Sequence, residues 1–447
     1  MSKAALRLLS VAVATAAAVS AAPAATAAGS VQAAASATAA DGFYAYAGSE
    51  PLSAFAPGAV LKTRTLQYHV LGIPTPLKAV QLLYRTTDAQ GRPAANVTTV
   101  VHSPGGDGSK AVSYQSFYDS LDPQDGPSRA IAGDVSLGGL IPNAESLLLA
   151  PLLLQGYDLV IPDTEGQSAN FAAGPEYGTN TLDSIRAASN SSATRLDSDT
   201  AVGMIGYSGG AIATNWAAAL APDYAPDVNR RLVGYAEGGL LVDPAHNLKY
   251  VDGSLAWSGV IPMAVIGVAR SYGIDLKSYL NSYGQGVYED LESGSIIDAI
   301  GHYPGLTWKK MAKSQYANPN SIPAFLTAVN KINLGSAATP TVPGFIGQGD
   351  GGVLEGTFSN RPGIGTGDGV MVAGDVRALA RQYCATGGAP VKYSQYELLS
   401  HTGAMVAWTP VALGWLNDRF AGRTAPSDCG RIPGGNSLAP EQPAPLS

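Results

Sequence analysis

The chain has 447 residues, 46% of them hydrophobic and 14% charged, with a net charge of −7. An acidic balance argues against binding phosphate backbones or anionic membranes through basic residues, so nucleic acid is set aside as a partner. The length suits one large α/β domain with an insertion, and the apolar content suits a well-buried core.

Lys3 and Arg7 precede an apolar run over residues 8–19 and small residues ending Ala-Thr-Ala-Ala-Gly. This is the pattern of a secretory signal peptide over residues 1–28. The run is too short to span a bilayer, which takes about 20 apolar residues. Cleavage would remove two bases and no acid, leaving the rest more acidic still. The expected product is a soluble, secreted monomer. Residues 29–40 are nearly all Ala, Ser, Thr and Gly, which cannot bury enough surface to order, and they read as a linker. Residues 431–447 are rich in Pro and Gly and read as a loose tail.

Between these ends the pattern alternates. Residues 80–87 and 97–102 read as strands joined by Ala-Gln-Gly-Arg-Pro, and 111–115 as a third. A short buried strand over 157–162 is followed by helical spacing over 182–188. A strand over 202–205 then runs into a Gly-rich turn and an Ala-rich helix ending near Leu220. Strand, helix, strand, helix predicts an α/β fold with a mainly parallel sheet flanked by helices. Further strands are expected at 232–236, 342–346 and 391–396, and a closing helix at 404–420. The rhythm breaks over 237–336, which holds helix-like stretches at 261–270, 276–283 and 296–299 and no clear strand. That segment reads as a helical cap between a first core part, 41–236, and a second, 337–430.

Cys384 and Cys429 are the two cysteines. In an exported chain an even pair reads as one disulfide, and closing this loop is worth roughly 4 kcal/mol in the chain-entropy model. A catalytic thiol would need an activating group, and neither cysteine has one nearby in sequence.

The chemistry centres on Gly206-Tyr207-Ser208-Gly209-Gly210. With 53 glycines in the chain a G-x-S-x-G match alone says little. Its context says more, because a strand precedes it and a helix follows. A nucleophilic serine on such a turn is strained, and the residues two before and two after must be small for strand and helix to approach. The competing interpretation is a Gly-rich turn whose serine caps a helix.

A serine hydroxyl needs a base, usually histidine oriented by a carboxylate. In the α/β-hydrolase fold the chain order is Ser, acid, His. That order leaves His246, His302 and His401. The first two fall in the cap and read as solvated polar residues. His401, in Ser-His-Thr-Gly-Ala between a strand and the last helix, stands where the base belongs. The acid should follow the strand at 342–346, and both Asp350 and Asp368 qualify. Asp163 and Glu165 read as loop-ordering hydrogen-bond groups. No H-E-x-x-H, C-x-x-C or G-x-x-x-x-G-K-[ST] occurs, so no metal, cofactor or nucleotide is expected.

The motifs together resemble the secretory lipase family, over about residues 42–423. Four patches carry the likeness: Ser113-Tyr-Gln-Ser-Phe-Tyr-Asp119-Ser120; Gly206 to Gly210; Gly367-Asp-Gly-Val through Tyr383-Cys384; and His401-Thr-Gly-Ala with Trp415-Leu-Asn-Asp-Arg-Phe. The resemblance implies an α/β-hydrolase with Asp368 as the acid, since the family places it about a helix's length before a cysteine. It also implies that Asp119 and the backbone N–H of Gly209 form the oxyanion hole; without it, Asp119-Ser-Leu-Asp-Pro reads as an ordinary turn. Residues 351–365 and the cap are the parts that match least. The expected function is hydrolysis of a lipid ester through an acyl-serine, with Ser208, Asp368 and His401 catalytic and an apolar acyl pocket in the cap. Short-chain carboxylesterase, acyltransferase and peptidase are the alternatives on the same residues. A non-catalytic surface-binding protein would have no use for the three in this order.

Overall fold

The computed structural model describes residues 41–358 and 360–444; the leader and linker read at 1–28 and 29–40 lie outside the described residues. Nine strands among them build one sheet, ordered β1-β2-β3-β5-β4-β6-β7-β8-β9. They are β1 Val60–Val70, β2 Ile73–Thr87, β3 Pro93–Val101, β4 Lys110–Gln115, β5 Asp158–Pro162, β6 Ala201–Tyr207, β7 Leu232–Gly238, β8 Gly344–Gly349 and β9 Val391–Tyr396. The pairs β1/β2, β2/β3 and β3/β5 are antiparallel, and every pair from β5/β4 to β8/β9 is parallel.

Parallel neighbours need crossovers, and helices supply them. Helix α1, Gly174–Asn190, links β5 to β6, and α2, Gly209–Tyr224, links β6 to β7. Between β7 and β8 the chain adds the cap helices Pro244–Val251, α3 Val260–Tyr272, Ser282–Leu291 and Pro323–Lys331. Helix α4, Ala373–Thr386, joins β8 to β9, and α5, His401–Phe420, closes the fold.

The period of two along β6 explains how the layers stack. Val202 and Met204 pack with Leu182 of α1 and Ala217 of α2, while Ile205 and Tyr207 turn to the other face against Phe345, Trp408 and Leu416. All are buried, and a fully buried Val, Leu, Ile, Phe or Met side chain contributes about 1.5–3 kcal/mol. The cap has its own apolar centre, with Met263, Leu291 and Ala299 wholly removed from solvent. Among the described residues no helix is long and apolar enough to cross a membrane.

Strand and helix types follow the alternation where it was read; the helices Pro127–Ala132, Leu140–Leu148 and Ala150–Leu154 between β4 and β5 went unread, and three further differences stand out. Strand β1 went unread because Lys62, Arg64 and Gln67 interrupt its apolar residues, as suits an edge strand exposed on one side. Residues 276–283 form a short 3-10 turn, Leu276–Ser278, and only the start of the next helix, since the cap helix begins at Ser282. The third correction concerns the tail: as far as residue 444 it is tied down rather than loose. Asn436 donates to Asp375 at 2.7 Å, Glu441 accepts from Lys249 at 2.5 Å, and the Glu441 N–H donates to Asn330 at 2.8 Å. These long-range polar contacts act together with Ile432, which is buried in the core, and Leu438, which packs against the same cluster, and composition is blind to all of them. The disulfide Cys384–Cys429 ties the end of α4 to the segment after α5.

Candidate active site

The carboxyl ends of parallel strands are where α/β sheets carry their chemistry. Here Asp119 follows β4, Ser208 follows β6, Asp368 lies beyond β8 and His401 beyond β9. Ser208 has φ 54° and ψ −120°, a conformation costing on the order of 1–3 kcal/mol for a non-glycine residue. The surrounding contacts enforce the turn. A Cβ on Gly206 would lie 2.2 Å from the carbonyl oxygen of Gly210, and one on Gly210 would lie 2.1 Å from that of Gln115. Strand, helix and the neighbouring β4 therefore meet only because both positions are glycine.

His401 opens α5 and is fixed from four sides. Its backbone N–H donates to the Asp368 carbonyl at 2.7 Å, and the Tyr207 hydroxyl donates to its own carbonyl at 2.8 Å. Its Nδ1 is 2.8 Å from Asp368 Oδ2 and its Nε2 is 2.8 Å from Ser208 Oγ. The Asp368 oxygens accept from every N–H donor that faces them, so Nδ1 carries the proton and Nε2 is left to accept from the serine. Asp368 is wholly buried. Its Oδ1 accepts from the N–H groups of Val370 and Met371 at 3.1 and 2.8 Å, and Gln348 Nε2 donates to Oδ2 at 2.9 Å. Burial disfavours the imidazolium, but the charge and hydrogen bond of Asp368, helped by Glu355 and Asp119, outweigh it and raise the His401 pKa above the usual histidine value.

Asp350, the other candidate acid, accepts from Gln395 at 2.8 Å and from the Leu398 N–H at 2.6 Å, which orders the loop before His401. His302 is exposed and bonds the Asp298 carbonyl. His246, expected to be solvated, is instead mostly buried and 2.9 Å from Asp375, where it joins the cap to α4. Its sequence gave no hint of a partner more than a hundred positions away.

Gly209 is the first residue of α2, so its N–H has no acceptor within the helix. The Asp119 carboxyl packs directly against Gly209, since a Cβ there would come within 1.8 Å of Oδ1. Asp119 has φ 42° and is buried. Burial pushes its pKa up to about 8; the charge of His401 opposes this and that of Glu145 adds to it. A protonated carboxyl there would be a hydrogen-bond donor. Glu165 accepts from the N–H of Ser120 at 3.2 Å and from Tyr177 at 3.0 Å, and Asp163 accepts from Ser128, the loop-ordering work expected of both.

Three contributors were not read from the sequence: Gln348 beside Asp368, Glu355 bridging Trp257 and Thr402, and Trp257 edge-on to His401 at 5.3 Å. Glu355 and Trp257 come from the rim loop and the cap, segments without a motif. The cap also forms a partly open apolar cavity of about 120 Å³, lined by Leu241, Leu248, Val265, Val268, Phe325 and Val329 among others, with none of Ser208, His401, Asp119 and Gly209 in its wall.

Sheet order, strained serine turn and hydrogen-bonded Ser-His-Asp row define an α/β-hydrolase. The model of the secretory lipase family matches residues 134–428. Lipase 5 of Candida albicans is 32% identical over 84% of this chain and 80% of its own length. A Mycobacterium tuberculosis protein described as a "probable inactive lipase" is also 32% identical, over 82% of this chain and 79% of its own. In fold, the chain is similar to Candida antarctica lipase A, with a TM-score of 0.75, 24% identity and 89% of each chain covered. The chain belongs to the secretory lipase family, and it is a lipase-type carboxylic ester hydrolase.

Proposed function

We propose that the chain is a secreted lipase that cleaves lipid esters through an acyl-serine intermediate. The observation that carries this reading is the continuous row from Ser208 Oγ through His401 to Asp368, with both links at 2.8 Å. His401 Nε2 takes the Ser208 proton as Oγ attacks the ester carbonyl. Negative charge develops on the carbonyl oxygen, and the N–H of Gly209 and the protonated carboxyl of Asp119 meet it, two converging donors of the kind that acyl transfer requires. His401 then gives the proton to the departing alcohol. Water repeats the sequence on the acyl-enzyme, returning a fatty acid and free Ser208.

Asp368 keeps Nδ1 protonated and offsets the charge of the imidazolium. The cap cavity, nearly all apolar, suits an acyl chain better than a peptide terminus, which would call for charged partners. The leader pattern at 1–28, the disulfide and the secretory character of the family support export.

The test is hydrolysis of nitrophenyl esters from acetyl to palmitoyl by the wild type and by Ser208→Ala. Cleavage of long-chain esters by the wild type alone is expected. Cleavage of short esters only would make the enzyme a carboxylesterase, and equal rates for the two proteins would remove Ser208 from the mechanism. Peptide hydrolysis without preference for esters would favour the peptidase alternative.

A further inference from the structure

The cap does more than cover the site, because its backbone is bonded to the loop that carries Asp119. The Asp119 carbonyl accepts from the Ile296 N–H at 2.8 Å, and the Leu121 N–H donates to the Gly294 carbonyl at 2.8 Å. Between them Ser120 and Ser295 form a two-residue antiparallel bridge. Arg270, in the last turn of α3, fastens the same corner. Its Nη1 donates to the carbonyls of Leu121, Ser168 and Ala169 at 3.0, 2.8 and 3.1 Å, and its Nη2 donates to that of Glu292 at 2.6 Å. No carboxylate is among these partners; a guanidinium is spread over four backbone carbonyls drawn from two core loops and the cap.

Both core loops are strained at this corner. Asp119 has φ 42° and Ala169 φ 48°, left-handed conformations that persist in non-glycine residues only where the surroundings over-determine them. From the core side Glu165 holds the Ser120 N–H. Among the described residues nothing on that side holds the Asp119 carbonyl; its partner comes from the cap.

We infer that Ile296, Gly294 and Arg270 are positioning residues of the reaction, holding Asp119 over Gly209, so that the cap forms part of the oxyanion hole. The inference rests on the reading of Asp119 and Gly209 as the oxyanion donors. A small rotation of the Asp119 backbone would carry its carboxyl off Gly209, and misplacing a donor costs rate rather than substrate affinity.

Ile296 offers a clean test. It is the first residue of the one-turn helix Ile296–Ala299, where proline is tolerated, and Ser295 before it is extended with ψ 171°, as a residue preceding proline must be. Ile296→Pro removes the N–H that meets Asp119, whereas Ile296→Ala removes the side chain and keeps the N–H. With rates on nitrophenyl butyrate normalised to the sites that a phosphonate labels to completion, kcat of the Pro variant should fall about tenfold below that of the Ala variant, with KM within about twofold. Arg270→Gln should lower kcat in the same way, and Arg270→Lys, which keeps the charge but not the fork, should lie between it and wild type. In an Asp119→Ala background, Ile296→Pro should cost no more than about twofold beyond Ile296→Ala, because the group it positions is gone.

Equal kcat in the Pro and Ala variants would overturn the proposal, as would a change confined to KM. If the Pro variant does not fold, unchanged kcat in Arg270→Gln overturns it equally. Full activity in Asp119→Ala alone would sink the oxyanion reading itself. Impaired Asp119→Ala beside equal Pro and Ala variants would leave that reading standing and remove only the role of the cap.

Discussion

Asp368→Asn should lower kcat by about 10³- to 10⁴-fold, with little change in KM. The hydrogen-bond pattern dictates the failure. The amide oxygen of the asparagine would stay at the Oδ1 position, where the N–H groups of Val370 and Met371 need an acceptor. Its NH2 would then face His401 Nδ1 at the Oδ2 position and donate to it. The imidazole would be driven into the tautomer with hydrogen on Nε2, which cannot accept the Ser208 proton. Asp350→Asn should keep near-normal kcat, because Asp350 serves Gln395 and Leu398. Its cost should appear in stability, at about 1–3 kcal/mol for a weakened buried or half-buried hydrogen-bond site. Steady-state kinetics on the two variants decide the matter; a dead Asp350→Asn beside an active Asp368→Asn would reverse the assignment.

The second large effect concerns Asp119 and is a matter of sign. His401 must be neutral to act as base, and its pKa is raised, so the acid limb of kcat/KM should lie above the ordinary histidine value of 6.5. Asp119 must be protonated to donate, and its pKa is pushed up to about 8, so activity should fall again as pH rises through that region. Above it, in the proposed mechanism, the carboxylate would place a negative charge where the oxyanion forms. Asp119→Asn keeps a donor that cannot ionise, and it should keep much of the neutral-pH rate while losing the alkaline limb. Asp119→Ala removes the donor and should reduce kcat by about 10²- to 10³-fold at neutral pH, with the gap to wild type narrowing as the wild-type carboxyl ionises above about 8. An alkaline limb of unchanged position in Asp119→Asn would show that another group causes it.

Most of what positions the site could be read from the chain because it rests on local physics. The β6 turn needed glycine at 206 and 210 for close approach, and the structure has backbone carbonyls standing 2.2 and 2.1 Å from where their side chains would begin. Ser208 and His401 were legible for the same reason, each lying between a strand and a helix with a recognisable pattern. Asp368 was not separable from Asp350 on residues alone: both sit in Gly-Asp-Gly, and what distinguishes them is a loop that folds back so that His401 N–H meets the Asp368 carbonyl. Asp119 was legible only by resemblance. Its significance depends on a left-handed backbone, on burial and on bonds to residue 296, none of which leaves a local trace. Glu355, Trp257 and Arg270 act across similar sequence distances. The tail shows the opposite error, a composition that suggests looseness overridden by Asn436 and Glu441 finding partners.

Attack of Ser208 on the ester is tested most directly by covalent trapping. The secreted protein is incubated with a nitrophenyl alkylphosphonate, residual esterase activity is followed, and the digested protein is mapped by mass spectrometry. One phosphonyl group on the peptide containing Ser208, appearing in step with the loss of activity and absent from Ser208→Ala, is the predicted result. Loss of activity with Ser208 unmodified, or the same labelling in Ser208→Ala, would contradict it.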